Sequence, residues 1–190
     1  MPNNKKIIGL AGKISSGKGT VAKYLEEKNN AVTYRFSTIL RDILNRLHKE
    51  ITRENMQNLS TILRRGFGED ILAKVIAEDV KKENNSLIVV DGIRRLADIK
   101  YLTKLPNFKL VKIIADSKIR YQRLIQRTEN RGDTQKTYEE FLADEKKEAD
   151  AEIPVVMENA EIELNNNGNL EELYKQIEEL SFPRKRESRF

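Results

Sequence analysis

The chain has 190 residues, 38% hydrophobic and 34% charged, a length and balance that fit one soluble α/β domain with a core of its own. Its net charge of +5 would suit a nucleic-acid binder, yet +3 of it lies in the last nine residues, where Arg184, Lys185, Arg186 and Arg189 face only Glu187, leaving the body nearly neutral. The absence of cysteine excludes a disulfide framework or thiolate metal site, and no apolar run reaches the roughly twenty residues of a membrane span, so a cytoplasmic protein is expected.

Residues 6–11 read as a buried strand, followed by Gly12, Lys13, Ile14, Ser15, Ser16, Gly17, Lys18, Gly19 and Thr20 and then a helix over 18–28. Gly12 and Gly17, four residues apart and followed by Lys18, match the G-x-x-x-x-G-K frame of a phosphate-binding loop. Glycines let backbone N–H groups turn inward around an anion, the helix adds its free N–H groups and positive dipole end, and the lysine bridges the outer phosphates. Thr20 falls where a hydroxyl can reach them or a bound Mg²⁺. ATP and Mg²⁺ are the cofactors this loop implies.

Further along, strands are expected over 31–36, 86–91, 108–115 and 160–164. Helices are expected over 38–49, 54–65, 70–82, 96–104, 118–128, 138–149 and 170–180. This alternation predicts a three-layer α/β/α fold with a five-stranded parallel sheet and the ligand at the carboxyl ends of its strands. The run at 87–90 delivers Asp91 to the end of a strand, as a Walker B strand does, where a carboxylate can hold the water shell of Mg²⁺. On the helix after residue 118, Arg120, Arg123 and Arg127 share one face, and Tyr121, Leu124 and Ile125 form the opposing apolar stripe. His48, the only histidine, reads as structural or solvated.

The Gly-Lys-Gly-Thr form of the loop resembles that of adenylate kinases and related nucleoside monophosphate kinases, in the P-loop nucleotide kinase superfamily. No Asn-Lys-x-Asp motif and no Asp-Glu pair closing an apolar strand are found, so hydrolytic P-loop machines fit less well. The resemblance spans most of residues 5–181, within a single P-loop kinase domain expected over 1–181. It implies an acceptor-binding insert at about 37–82 and a lid at about 127–138, with residues 182–190 left as a basic disordered tail. Asp-Gly-Ile-Arg-Arg is similar to the Asp-Gly-x-x-Arg segment whose arginine grips the acceptor phosphate, so Arg94 and Arg95 are candidate clamps. Phe-Ser-Thr is similar to the Ser-Thr-Gly-Asp-x-x-Arg segment, which implies acceptor contacts from Ser37 and Arg41, with Arg64 as a further candidate. Arg123 and Arg127 match arginines of the lid that close on the transferred phosphoryl group. Arg41 stands two positions early for this pattern and the glycine is missing.

Members of the superfamily labelled dephospho-coenzyme A kinase-like are also similar, and they require different chemistry. A phosphate acceptor, with a second pKa of about 6, is already nucleophilic near neutrality and needs clamps more than a base. A sugar hydroxyl profits from a carboxylate base. The second strand ends in Tyr34-Arg35-Phe36-Ser37, without the aspartates those enzymes bring there, which favours a nucleoside or deoxynucleoside monophosphate acceptor. Hydroxyl phosphorylation, with Asp42 reaching inward, is the alternative. A third reading is a nucleotide-dependent RNA or assembly factor with slow ATPase activity, using the basic tail. The partners expected are small nucleotides, with no membrane, and with nucleic acid reached only through that tail.

Overall fold

Residues 7–11 and 87–90 are apolar without alternation, which requires strands covered on both faces. In the computed structural model, which describes residues 5–126, 133–145 and 151–180, these runs are the two central strands of the sheet. Arg127, Arg131, residues 127–132 of the expected lid and the tail at 182–190 lie outside the described residues.

The strands are β1 (Lys6–Ala11), β2 (Val32–Arg35), β3 (Leu87–Ile93), β4 (Phe108–Ile114) and β5 (Ile162–Asn165). They form one sheet in the order β2-β3-β1-β4-β5, and every pair is parallel. The helices are α1 (Lys18–Asn29), α2 (Phe36–Arg46), α3 (Arg53–Phe67), α4 (Ile71–Lys82), α5 (Leu96–Ile99), α6 (Ser117–Gln126), α7 (Tyr138–Asp144), α8 (Ile153–Glu158) and α9 (Leu170–Glu179). The expected five-stranded α/β/α P-loop fold is therefore the one observed.

Strand pleating divides the core in two. Ile7, Ile88 and Val90 face one layer with Phe36, Leu40, Leu72, Ile76 and Val156. Ile8, Leu10, Leu87 and Val89 face the other with Val21, Leu25, Leu173 and Ile177. Helices α2, α4 and α8 thus cover one face of the sheet, and α1 and α9 the other.

The structure corrects several boundaries. The helix expected over 38–49 starts at Phe36 and ends at Arg46, followed by His48 with a positive φ of 53°. The one expected over 96–104 breaks into α5 and a 3₁₀ turn at Leu102–Lys104, short of Pro106. Helix α8 was not expected, because Pro154 interrupts a short apolar run, yet proline at the first turn lacks only an N–H that is unpaired there anyway. Strand β3 runs two residues past Asp91: Gly9 pairs with Val90 but Ala11 with Ile93, so a bulge at Asp91-Gly92, with Gly92 at φ 87°, bends the strand where its carboxylate emerges.

Candidate functional site

Because all five strands run the same way, their carboxyl ends and the segments that leave them share one edge of the sheet: Gly12–Thr20 after β1, Arg35 at the end of β2 with the start of α2 up to Arg41, Asp91–Ile93 at the end of β3 with Arg94 and Arg95 beyond it, Ser117–Arg123 after β4 and Asn166 after β5. The phosphate loop lies in the middle of that edge.

Two glycines make the loop possible. A Cβ on Gly12 would stand 2.6 Å from Ser16 Oγ and 2.7 Å from the Ile113 carbonyl; one on Gly17, which has φ 106°, would stand 2.2 Å from Asn166 Nδ2. Lys18, Gly19 and Thr20 form the first turn of α1, and the first bond within the helix runs from Val21 N to Gly17 O at 3.0 Å. The amides before it point out of the helix end toward the loop. Lys18 Nζ folds back over the loop and donates to the carbonyls of Gly12 at 2.7 Å and Lys13 at 3.1 Å. The buried hydroxyls Ser15 Oγ and Ser16 Oγ have no hydrogen-bond partner among the described residues. Buried donors without partners are rare in folded proteins, and phosphate oxygens would complete this cradle. The loop therefore fits a nucleotide's phosphates.

Side chains from distant elements brace the cradle. Asn166, 3% exposed, donates from Nδ2 to Ser16 O at 2.8 Å and accepts from Arg123 Nη2 through its carbonyl at 3.0 Å. Arg120, also 3% exposed, donates to Ala115 O at 2.9 Å and Ile14 O at 3.3 Å, pairs with Glu145 and lies 5.3 Å over the Phe141 ring. Glu145 also pairs with Lys13 at 3.2 Å. Of the arginine face read from the sequence, Arg120 is thus a buried brace. Arg123 is half-buried with one terminal nitrogen, Nη1, lacking a partner among the described residues, and burial holds its guanidinium below the usual arginine pKa. Arg127 lies outside the described residues.

On the other side, Asp91 Oδ1 accepts from Gly92 N at 2.7 Å and Oδ2 lies 3.4 Å from Arg35 Nε. One carboxylate at the end of β3, with the Thr20 hydroxyl, suits Mg²⁺, which takes one or two carboxylates and fills its other positions with phosphates and water. Arg95 Nη1 pairs with Glu69 at 3.3 Å. The backbone amides of Arg94 and Arg95 donate to Asp98 Oδ2 at 3.0 and 3.1 Å, so Asp98 sets the turn that aims both side chains. Arg64 is buried, pairs with Asp98 Oδ1 at 3.2 Å and bonds the Glu69 carbonyl. Ser37 lies in the first turn of α2, and Arg41, one turn on, is exposed. Asp42 is also exposed on this helix.

Three residues escaped the sequence reading. Asp98 follows Arg95 at capping-box spacing, a local signal that could have found it. Arg35 was noted only for what it replaces. Asn166 sits in Asn-Asn-Asn-Gly, which reads as a turn; nothing local marks its contact with Ser16.

A family model described as an AAA domain matches residues 11–142. Among curated proteins, a UPF0200 protein of Sulfurisphaera tokodaii is 31% identical over 92% of this chain and 95% of its own length. A UPF0200 protein of Staphylothermus marinus is 30% identical over 89% and 87%. Among solved structures, shikimate kinase from Bacteroides thetaiotaomicron aligns with a TM-score of 0.60 at 16% identity, over 92% of this chain and 96% of that one. Shikimate kinase from Acinetobacter baumannii in complex with shikimate aligns with a TM-score of 0.53 at 16% identity, over 94% and 92%. At such identities the likeness is one of fold.

Proposed function

Since the chain belongs to the UPF0200 family and carries an AAA domain on a P-loop kinase fold, we propose that it transfers the γ-phosphoryl group of ATP to a nucleoside or deoxynucleoside monophosphate. The observation that carries this reading is the cradle: two buried loop hydroxyls without partners among the described residues and an ammonium resting on the loop's own carbonyls, all beside an edge that presents Arg35, Arg41, Arg94 and Arg95.

The loop amides, Ser15, Ser16 and Lys18 bind the donor phosphates, and Lys18 leaves the Gly12 and Lys13 carbonyls to do so. Thr20 and Asp91 would hold Mg²⁺, which when bound neutralises charge on the phosphates. Arg41 and Arg94 or Arg95 grip the acceptor phosphate as bidentate forks. Arg123, steadied by Asn166, reaches the transferred group with Nη1, which has no partner among the described residues. Arg64 belongs to the frame instead, because its charge is spent on Asp98. Phosphoryl transfer is mostly positioning and electrostatic stabilisation, and an acceptor that is already an oxyanion needs no base.

The test is ADP release from Mg²⁺-ATP with each nucleoside monophosphate, each deoxynucleoside monophosphate and dephospho-coenzyme A in turn. Stimulation by one monophosphate supports the proposal. Stimulation by dephospho-coenzyme A alone would move the reading to hydroxyl phosphorylation, and ATP binding without stimulation by any acceptor would move it to a nucleotide-dependent assembly factor.

A further inference from the structure

Arg35 ends β2 and is the register partner of Asp91, so both side chains leave the same face of the sheet at its carboxyl edge. Its Nε lies 3.4 Å from Asp91 Oδ2, and its side chain is 47% exposed while that of Asp91 is 15% exposed. The two terminal nitrogens of Arg35 have no other partner among the described residues. A second observation points the same way: α2, which starts at the next residue, has no side-chain N-cap and no acidic residue in its first turn. Its positive end and the free fork of Arg35 therefore stand side by side beside the carboxylate that fits Mg²⁺.

We propose that Arg35 is an anion clamp for the acceptor, and that its charge is held in reserve by Asp91 until the metal arrives. The inference rests on the kinase reading above. In the bare site Asp91 neutralises Arg35. When Asp91 turns to a metal's water shell, Arg35 loses its counter-ion and becomes a fork with no partner, beside a helix end that favours an anion. A phosphate on the acceptor restores the balance. Metal and acceptor each take one member of the pair, so each strengthens the other's binding, and the acceptor site remains weak while no metal is bound. Such coupling is reciprocal. It also makes Arg35 specificity-determining, since an acceptor without an anionic group gains nothing from the freed charge.

Equilibrium binding tests this without turnover. Mn²⁺ affinity of the ADP-loaded protein is read by electron paramagnetic resonance. Affinity for AMP, GMP, CMP and UMP is read by calorimetry, with a non-hydrolysable ATP analogue, with and without Mg²⁺. For the wild type, the best-binding monophosphate should gain about 5-fold or more from Mg²⁺, the lower end of ordinary coupling. In Arg35→Gln, Mn²⁺ should bind more tightly because a competing cation has left Asp91, whereas monophosphate affinity should fall and lose its Mg²⁺ dependence. Arg35→Lys keeps the charge without the fork, guards against a folding defect in the glutamine variant, and should retain part of the coupling. Unchanged Mn²⁺ affinity in Arg35→Gln, or monophosphate binding that keeps its strength and Mg²⁺ dependence there, overturns the clamp and leaves the kinase reading standing. No binding of any monophosphate by the wild type would overturn both.

Discussion

The side-chain amide of Asn166 donates to the Ser16 carbonyl at 2.8 Å, joining the loop after β5 to the phosphate loop across 150 residues of sequence. The backbone carbonyl of the same residue receives Arg123, so the cradle and Arg123 share one buried support. The phosphate loop and helix α6 are thereby tied together through a residue that is itself 3% exposed.

Asn166→Ala removes the Nδ2 donor to Ser16 and the Oδ1 that accepts from Arg123 Nη2 at 3.4 Å, while the backbone carbonyl that receives Arg123 stays. Leaving the Ser16 carbonyl unpaired costs about 1–3 kcal/mol. At about 2–4 °C per kcal/mol for a chain of this size, the melting temperature should fall by roughly 2–12 °C. The stabilisation that saturating ATP adds should shrink as well, since the loop loses its brace. Thermal melts with and without ATP read both quantities, and an unchanged ATP shift would show that the loop holds its shape unaided.

Lys18→Ala separates binding from chemistry. In the proposed reading Lys18 follows charge onto the outer phosphates, and loss of a single preorganised electrostatic group costs about 10²–10³-fold in turnover. Because Lys18 also bonds the Gly12 and Lys13 carbonyls, a modest drop in melting temperature should accompany that loss. Turnover within a fewfold of wild type, in a variant that folds, would remove the basis of the kinase assignment.

Much of this was legible locally. The loop frame, the strand before it and the helix after it lie between Lys6 and Asn29, and the apolar runs marked the central strands. What the sequence hid was long-range. Arg120 and Arg123 share a helix face by spacing, yet Ile14 and Glu145 bury the first while the second stays half-open, and their contacts come from segments far apart in the chain. Arg64 looked like an acceptor ligand because its partner Asp98 lies 34 residues on. The bulge at Asp91-Gly92 arises from pairing between β1 and β3, which no periodicity within β3 encodes.

Arg64 and Arg41 should therefore part company on mutation. Arg64→Ala leaves Asp98, itself 2% exposed, as a buried carboxylate short of its ion partner, a change that costs about 3–5 kcal/mol. Arg41→Ala, on an exposed face of α2, should leave stability within about 0.5 kcal/mol and raise the acceptor KM with little change in the KM for ATP. Urea denaturation and acceptor titrations on both variants check this. A stable Arg64→Ala with a raised acceptor KM would return Arg64 to the acceptor site.

The pair formed by Tyr34 and Glu83 sets a pH dependence at the outer edge of the sheet. The Tyr34 hydroxyl donates to Glu83 Oε2 at 2.9 Å, and burial, reinforced by that carboxylate, pushes the phenol from its ordinary 10.0 up to about 12. The folded protein keeps a proton that the unfolded chain releases near pH 10, so this contribution is complete below pH 10 and is lost as pH rises from there toward 12. Glu83 behaves in the opposite sense. Its carboxyl is held below the ordinary 4.5, first by the Asn85 amide and then by the Tyr34 hydroxyl, so its contribution is present above that value and is lost as pH falls through it. Tyr34→Phe should abolish the alkaline component, measured as the fall in urea midpoint between about pH 9.5 and 11. It should only soften the acid one, because the Asn85 bond survives. An alkaline slope identical in wild type and Tyr34→Phe would assign that loss to lysine deprotonation elsewhere and remove Tyr34 from the account.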